Sequence, residues 1–164
     1  MSKALEIVYA SAPANEVPIL TLEILHPAFE GGAIRTCNGF EDQTCTLETG
    51  ATVTFEASGL DVSLPKRNAT GRQELNFAIE NVTGRAERAI RDALEAGGQI
   101  DVIYRTFLAS DLSAPAEPPL KMALVSPSFE GATTQVTASY MDMINYAWPR
   151  ERYTISFAPG LKYI

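Results

Sequence analysis

The chain has 164 residues, of which 46% are hydrophobic and 20% charged, with a formal net charge of −7. A chain of this length is about one domain and can bury roughly two-thirds of its unfolded surface around a single core, so it folds without staples, and its composition excludes wholesale disorder. With 13 Lys and Arg against 20 Asp and Glu, an isolated monomer is a poor ligand for phosphate, whose affinity comes from clustered cations.

No run approaches the ~18 apolar residues of a membrane span. The opening MSKALEIVYA lacks the basic and apolar regions of a secretory leader, which points to synthesis in the cytosol. In chain order, the first strong element is 17–25, apolar in part on both faces, as a central strand would be. It stops at the single histidine, His26, in a His-Pro step that reads as a turn. Cys37 and Cys45 flank the turn-like NGFEDQT and could face each other across a hairpin; without a leader, both thiols are expected to be reduced. Alternation of period two then places Val53, Phe55 and Ala57, and after them Leu60, Val62 and Leu64, on one face of successive strands. The basic segment PKRNATGRQ, 65–73, reads as a flexible connection.

A strand over 72–80, carried by Leu75, Phe77 and Ile79, leads to the one helix, over 84–96. There Ala86, Ala89, Ile90, Ala93 and Leu94 recur at helical spacing opposite Arg85, Glu87, Arg88, Arg91, Asp92 and Glu95. Thr83 can cap its start and Gly97-Gly98 can supply a left-handed stop. The following strand, 100–108, is again apolar on both faces. SDLSAPAEPPLK, 110–121, carries three prolines and reads as a stiff exposed loop. Leu120, Met122 and Leu124, and then Val136, Ala138 and Tyr140, mark two further strands. Pro27-Ala28-Phe29-Glu30-Gly31 is echoed by Pro127-Ser128-Phe129-Glu130-Gly131, either as two similar hairpin turns or as a duplicated unit. The expected fold is mainly β (α+β), one domain over 1–164: an antiparallel β-sandwich or barrel with one amphipathic helix packed on a sheet.

The residues that would carry catalysis are sparse. A nucleophilic hydrolase needs a base beside its nucleophile, and no Cys-His signature surrounds His26, Cys37 or Cys45. Those three are too few for zinc, Gly31-Gly32 and Gly97-Gly98 are isolated pairs without a phosphate-loop motif, and Glu41, Asp42 and Asp142 read as solvated acids rather than a glycosidase pair. No enzyme, cofactor or metal is expected.

The chain ends in NYAWPRERYTISFAPGLKYI, 145–164: a helical turn stopped by Pro149, a strand with Tyr153, Ile155 and Phe157 on one face, and an exit through Pro159-Gly160. Those three strand residues suit the domain's own core or a partner. Chain ends seldom hold themselves in place, so the apolar terminus points to a contact made by Tyr146, Trp148, Pro159, Leu161, Tyr163 and Ile164 with another protein. This ending, with the earlier AERAIRDALEAGGQIDVIYRTFLASD, resembles a family of small proteins of unassigned activity from tail gene clusters of long-tailed bacteriophages and prophages. The likeness covers 75–161 best, and its motifs are packing motifs.

The resemblance implies a structural virion protein, a minor tail or distal tail protein at the tail tip, assembled in the host cytoplasm. It implies a tail-tube-like β-sandwich or barrel with a flanking helix, a homo-oligomer closing as a hexameric ring between the tail tube protein and the baseplate hub proteins, and a lumen through which DNA passes without sequence-specific binding. A net charge of −7 would suit such a lumen. The alternative from the residues is a monomeric β-sandwich binding module for a carbohydrate or receptor, with Tyr140, Tyr146 and Trp148 as stacking platforms.

Overall fold

The computed structural model describes residues 6–7, 10–11, 16–63, 74–80, 84–130 and 133–139. In chain order the elements are β1 (Pro18–Leu25), β2 (Ile34–Asn38), β3 (Gln43–Thr46), β4 (Thr52–Ser58), β5 (Leu60–Ser63), β6 (Glu74–Glu80), helix α1 (Arg85–Ala96), β7 (Asp101–Leu108), β8 (Leu120–Glu130) and β9 (Thr133–Ser139). The strands the alternation marks between 52 and 139 are therefore present, and the fold is mainly β; Leu64, Tyr140 and the strand expected at Tyr153, Ile155 and Phe157 lie outside the described residues. They hydrogen-bond into one nine-stranded sheet in the order β3-β4-β2-β1-β7-β8-β9-β6-β5.

The two stretches that are apolar on both faces, β1 and β7, lie side by side near the middle, antiparallel from Pro18↔Leu108 to Leu25↔Asp101. Strands need apolar residues on both faces when both faces are covered, and these are. All pairings are antiparallel but one: β4 runs parallel to β2, with Cys37 opposite Ala57. The β3–β4 hairpin folds back so that β4 lies between β2 and β3. Cys37 and Cys45 therefore do not face each other across a hairpin, an arrangement their spacing allowed; a strand separates them.

The sheet is open, since no ladder joins its end strands β3 and β5, yet its two margins come close. β4 bonds to β2 and β3, β5 bonds to β6, and only Gly59 lies between β4 and β5. Their facing ends are thus within about 7 Å, although the two strands stand near opposite ends of the sheet order. The Gly59 carbonyl accepts a hydrogen bond from the Glu80 backbone N–H (3.0 Å). A Cβ at Gly59 would come 2.7 Å from the Glu80 carboxyl carbon, so glycine is the residue that lets the seam close without displacing that side chain. The sheet is rolled, and one continuous run of chain joins its margins.

The inside of the roll holds the main core: Leu22 and Ile24 of β1, Leu75, Phe77 and Ile79 of β6, Val102 and Tyr104 of β7, Met122 of β8, Val136 and Ala138 of β9. Helix α1 adds Ile90 and Ala93 to it. The helix stops where Gly97, at a positive φ of 72° but with an extended ψ of 165° and so outside the left-handed helical conformation expected, donates its N–H to the Ala93 carbonyl, and it starts after the left-handed Gly84 (φ 67°); Thr83 lies outside the described residues. Arg91 stacks over the Phe129 ring at 4.6 Å and pairs with Glu87 at 2.8 Å, fixing the outer side of the helix. Leu94, predicted to lie in the buried stripe, is 49% exposed.

The opposite face carries a second, smaller core of Cys37, Cys45, Phe55 and Phe107, with Ile19, Leu47, Val53 and Leu112 against it. Phe55 and Phe107 meet at 6.4 Å between ring centroids. The proline-rich connection after β7 helps to build this layer instead of standing free. Beyond Tyr104, β7 has no ladder partner on its β8 side, and unpaired buried backbone groups are unfavourable. Ala116 N–H donates to the Thr106 carbonyl (2.8 Å) and Thr46 N–H to the Leu112 carbonyl (2.9 Å). The two Pro-x-Phe-Glu echoes also part company. The first is a turn between β1 and β2, whereas Pro127 to Glu130 is strand; the shared residues adopt different backbone conformations and are not two similar turns. Among the described residues no helix is long and apolar enough to cross a membrane.

Candidate functional site

The polar face of β1 and β7 sets up the first cluster. Glu23 lies directly opposite Arg35 on β2 and diagonal to Arg105 on β7, whose ladder partner is Thr21. Glu23 and Arg105 side chains are only 4% and 3% exposed. Arg105 Nη1 donates to Glu23 Oε2 (2.8 Å), while its Nε and Nη2 grip the two oxygens of Glu48 at 2.8 and 3.0 Å. Arg35 Nε completes the chain to Glu23 Oε1 (2.8 Å). Two arginines and two glutamates thus form a neutral network, with the forked geometry that makes arginine–carboxylate bonds strong.

Burial alone would lower the Arg105 pKa, but the hydrogen bonds it donates to Glu48 and Glu23 outweigh it and raise it. In return the Arg105 hydrogen bonds hold the Glu48 carboxyl below the usual glutamate range. A lowered folded pKa means that the unfolded chain takes up the proton first as pH falls. Glu48 therefore stabilises the fold above the ordinary glutamate range, and that contribution is lost as pH drops through its lowered folded value. In denaturant melts between about pH 6 and pH 3, the stability gap between the wild type and Glu48→Gln is expected to close on acidification. A gap that holds constant would show that Glu48 is not linked to Arg105 in solution.

A cleft of about 440 Å³ opens on the inner side, between the β1–β2 loop, the β2/β4 strands and the first turns of α1. This is the size of small-ligand pockets. Phe29, Ile34, Ala57 and Ala89 give it apolar walls, and Arg85, Arg88 and Asp92 stand at the helix. Two lining residues carry buried hydroxyls without hydrogen-bond partners, Thr36 Oγ1 and Ser58 Oγ. Arg85 reaches Glu56 at 3.3 Å, with both side chains largely exposed.

The connection from β2 to β3 arches over the end of β4. Asp42 Oδ1 accepts the Ala57 N–H (2.8 Å), and the Glu41 carbonyl accepts from the Gln43 side-chain amide (3.4 Å). Gly39 at φ 131° makes the bend, a conformation that disfavours any side chain. At the crown sits Phe40, 104% exposed, on a loop held at one foot by Asp42 and at the other by Asn38, whose Oδ1 accepts the Leu20 N–H (2.6 Å).

The residues singled out by their chemistry take ordinary places. His26 accepts the Ala28 N–H on Nδ1 (3.1 Å), approaches the Gly97 carbonyl through Nε2 (3.3 Å) and packs on Phe29, a turn histidine as expected. Cys37 and Cys45 are free and fully buried. Burial, and then the Cys37 charge, pushes the Cys45 thiol up to about 11. No group of three His, Cys, Asp or Glu that could hold a metal occurs among the described residues. Tyr146, Trp148, Pro159, Leu161, Tyr163 and Ile164, with Tyr140 and Asp142, lie outside the described residues. The sequence reading passed over Phe40 and the cleft. The available signal was one aromatic in an otherwise polar turn, NGFEDQT.

Together these features define a mainly β domain: a rolled sheet with a helix packed into its core, a cleft beside that helix and an aromatic crown on a pinned loop. The chain belongs to the family described as a domain of unknown function (DUF1833), whose profile matches residues 4–153. No curated protein matches it.

Proposed function

We propose that the protein is a structural subunit of a long-tailed phage tail tip, closing with copies of itself into a ring that joins the tail tube to the baseplate hub and surrounds the DNA channel. The observation that carries this reading is Phe40, wholly exposed on a loop whose feet are hydrogen-bonded in place. An apolar ring held out in water gains nothing for a monomer, and a loop already bonded at its two feet loses little backbone entropy when that ring docks as a contact anchor. Val17 and Val125, 57% and 62% exposed, add apolar surface. The sequence resemblance implies a β-sandwich or barrel with a flanking helix for such rings, and the chain shares with that its mainly β make-up and its one packed helix, within a single nine-stranded sheet. Fold alone does not fix function, so the two kinds of support are needed together.

Light scattering on the purified protein over a range of concentrations tests the reading. A ring requires one closed multimeric mass, hexameric if the likeness to tail rings extends to copy number; a monomer at every concentration removes it. Deletion of 159–164 should leave a folded domain that no longer enters tails, because the apolar terminus is assigned to neighbouring virion proteins. Incorporation at the normal level would exclude that role for the terminus.

A further inference from the structure

We infer that the cleft beside α1 is a binding site for a small aliphatic diamine, with an ammonium at each end of a short methylene chain. The site is separate from the assembly contacts proposed above, and either can fail without the other. Three observations point to this ligand.

The first is the balance of charge. Four carboxylates line the cleft, Glu30, Glu56, Glu80 and Asp92, against three arginines. The arginines already have partners. Arg35 pairs with Glu23 at 2.8 Å, Arg85 pairs with Glu56 at 3.3 Å, and Arg88 is engaged as well. Among the described residues Glu30, Glu80 and Asp92 have no cation of their own. An uncancelled charge in a concave site draws in the opposite sign, which here is a cation.

The second is a pair of hydroxyls. Thr36 is the ladder partner of Glu56, so the two side chains share the cleft face of the sheet. Thr36 is only 7% exposed, and its Oγ1 has no hydrogen-bond partner. Ser58 Oγ, two residues beyond Glu56 on the same face of β4, is buried and unpartnered too. Next to Ser58, the Glu80 carboxyl carbon stands 2.7 Å from where a Cβ on Gly59 would be. Buried polar groups are nearly always bonded, and a hydroxyl lone pair near a carboxylate is suited to an ammonium N–H.

The third is the spread of the acids. Glu30 lies in the β1–β2 loop, Glu80 at the end of β6 and Asp92 within α1. They do not converge closely enough to hold one metal ion, which needs its oxygens within about 2.0–2.6 Å of a single point. A ligand whose two charges are themselves held apart can serve two walls at once. Phe29, Ile34 and Ala89 offer its methylenes an apolar wall, and a volume of about 440 Å³ is that of a small-molecule site. An anion would meet the unpaired acids, and a purely apolar ligand would leave both hydroxyls unmet.

The test titrates the five-carbon diamine cadaverine into the full-length protein by calorimetry at low salt. Pentanediol, glutarate and pentylamine are the neutral, anionic and single-ended comparisons. The expected result is saturable binding of the diamine, about tenfold or more tighter than the diol or glutarate and weakened by added salt. Glu80→Gln together with Asp92→Asn, both exposed side chains, should weaken it about tenfold. Thr36→Val separates binding from folding. The hydroxyl has no partner within the fold, so the thermal midpoint should hold or rise while the diamine binds about threefold or more weakly. A diamine that binds no tighter than the diol, or as tightly in the double variant, would overturn the inference. So would a fallen midpoint in Thr36→Val, which would place its hydroxyl in a bond of the fold. Equal affinity for pentylamine would overturn the two-ended ligand, since one ammonium would then account for the site.

Discussion

Arg105→Met is expected to lower the unfolding free energy by about 3–5 kcal/mol, because it strands the Glu23 carboxylate inside the sheet with one partner fewer. Glu23 is 3% exposed and has no route to water, while Arg35 and Glu48, 32% and 30% exposed, can turn outward. The unequal burial decides where the loss falls. A domain of this kind has roughly 5–15 kcal/mol in all, so the single variant should sit near its unfolding threshold. Removing the stranded charge as well, in Glu23→Leu with Arg105→Met, is expected to recover most of the loss, since an apolar pair in place of a buried ion pair is often neutral or stabilising. Urea midpoints of the two single variants and the double variant complete the cycle. A loss below about 1 kcal/mol in Arg105→Met would mean that the network contributes no more than a surface pair.

Phe107→Ala is the second large effect. Its ring is fully buried beneath the β3–β4 hairpin and packs on Phe55, and truncation of a buried phenylalanine costs about 3–5 kcal/mol through lost transfer energy and the cavity left behind. The small core has few other members, so the damage should concentrate there. Cys37 and Cys45 belong to the same cluster and serve as the reporter. Inaccessible to a thiol reagent in the wild type, both should react in the variant without denaturant, and the thermal midpoint should fall. Unchanged thiol protection with a small shift in midpoint would show that the outer layer collapses onto the space instead of opening.

Much of the fold was legible because period two is a direct record of which face is wet. Leu75, Phe77 and Ile79, or Val136 and Ala138, can only be the dry side of a strand, and they line the roll. The Gly97 stop was legible for the same local reason. What failed depended on distant parts of the chain. The mixed pattern of 17–25 marked a central strand, but not what would cover the face of Thr21 and Glu23: they are buried beneath the β3–β4 hairpin and the loop after β7, which no local period records. The insertion of β4 between β2 and β3 escaped for a similar reason, since Cys37 and Cys45 sit at hairpin spacing. Pro127 shows the reverse case: a residue that usually interrupts strands lies in β8 beside the irregularity between Leu124 and Ser126, where a ladder tolerates it. Of the candidate contact residues, Phe40 alone among those described was hidden in plain view, because a single apolar letter in a polar turn carries no period.

The seam at Gly59 governs how the molecule can come apart. An ordinary sheet frays from its outermost strands, one ladder at a time. Here the run through β4 and β5 is stitched to β2 on one flank and to β6 on the other, so neither flank can peel away without tugging on its opposite number. Breaking the hoop means surrendering two ladders in a single event, which favours abrupt, all-or-none opening over gradual loosening. Only β3, paired on β4 outside the hoop, is placed to lift off by itself. A component built this way would hold its shape under a sideways pull until it failed outright.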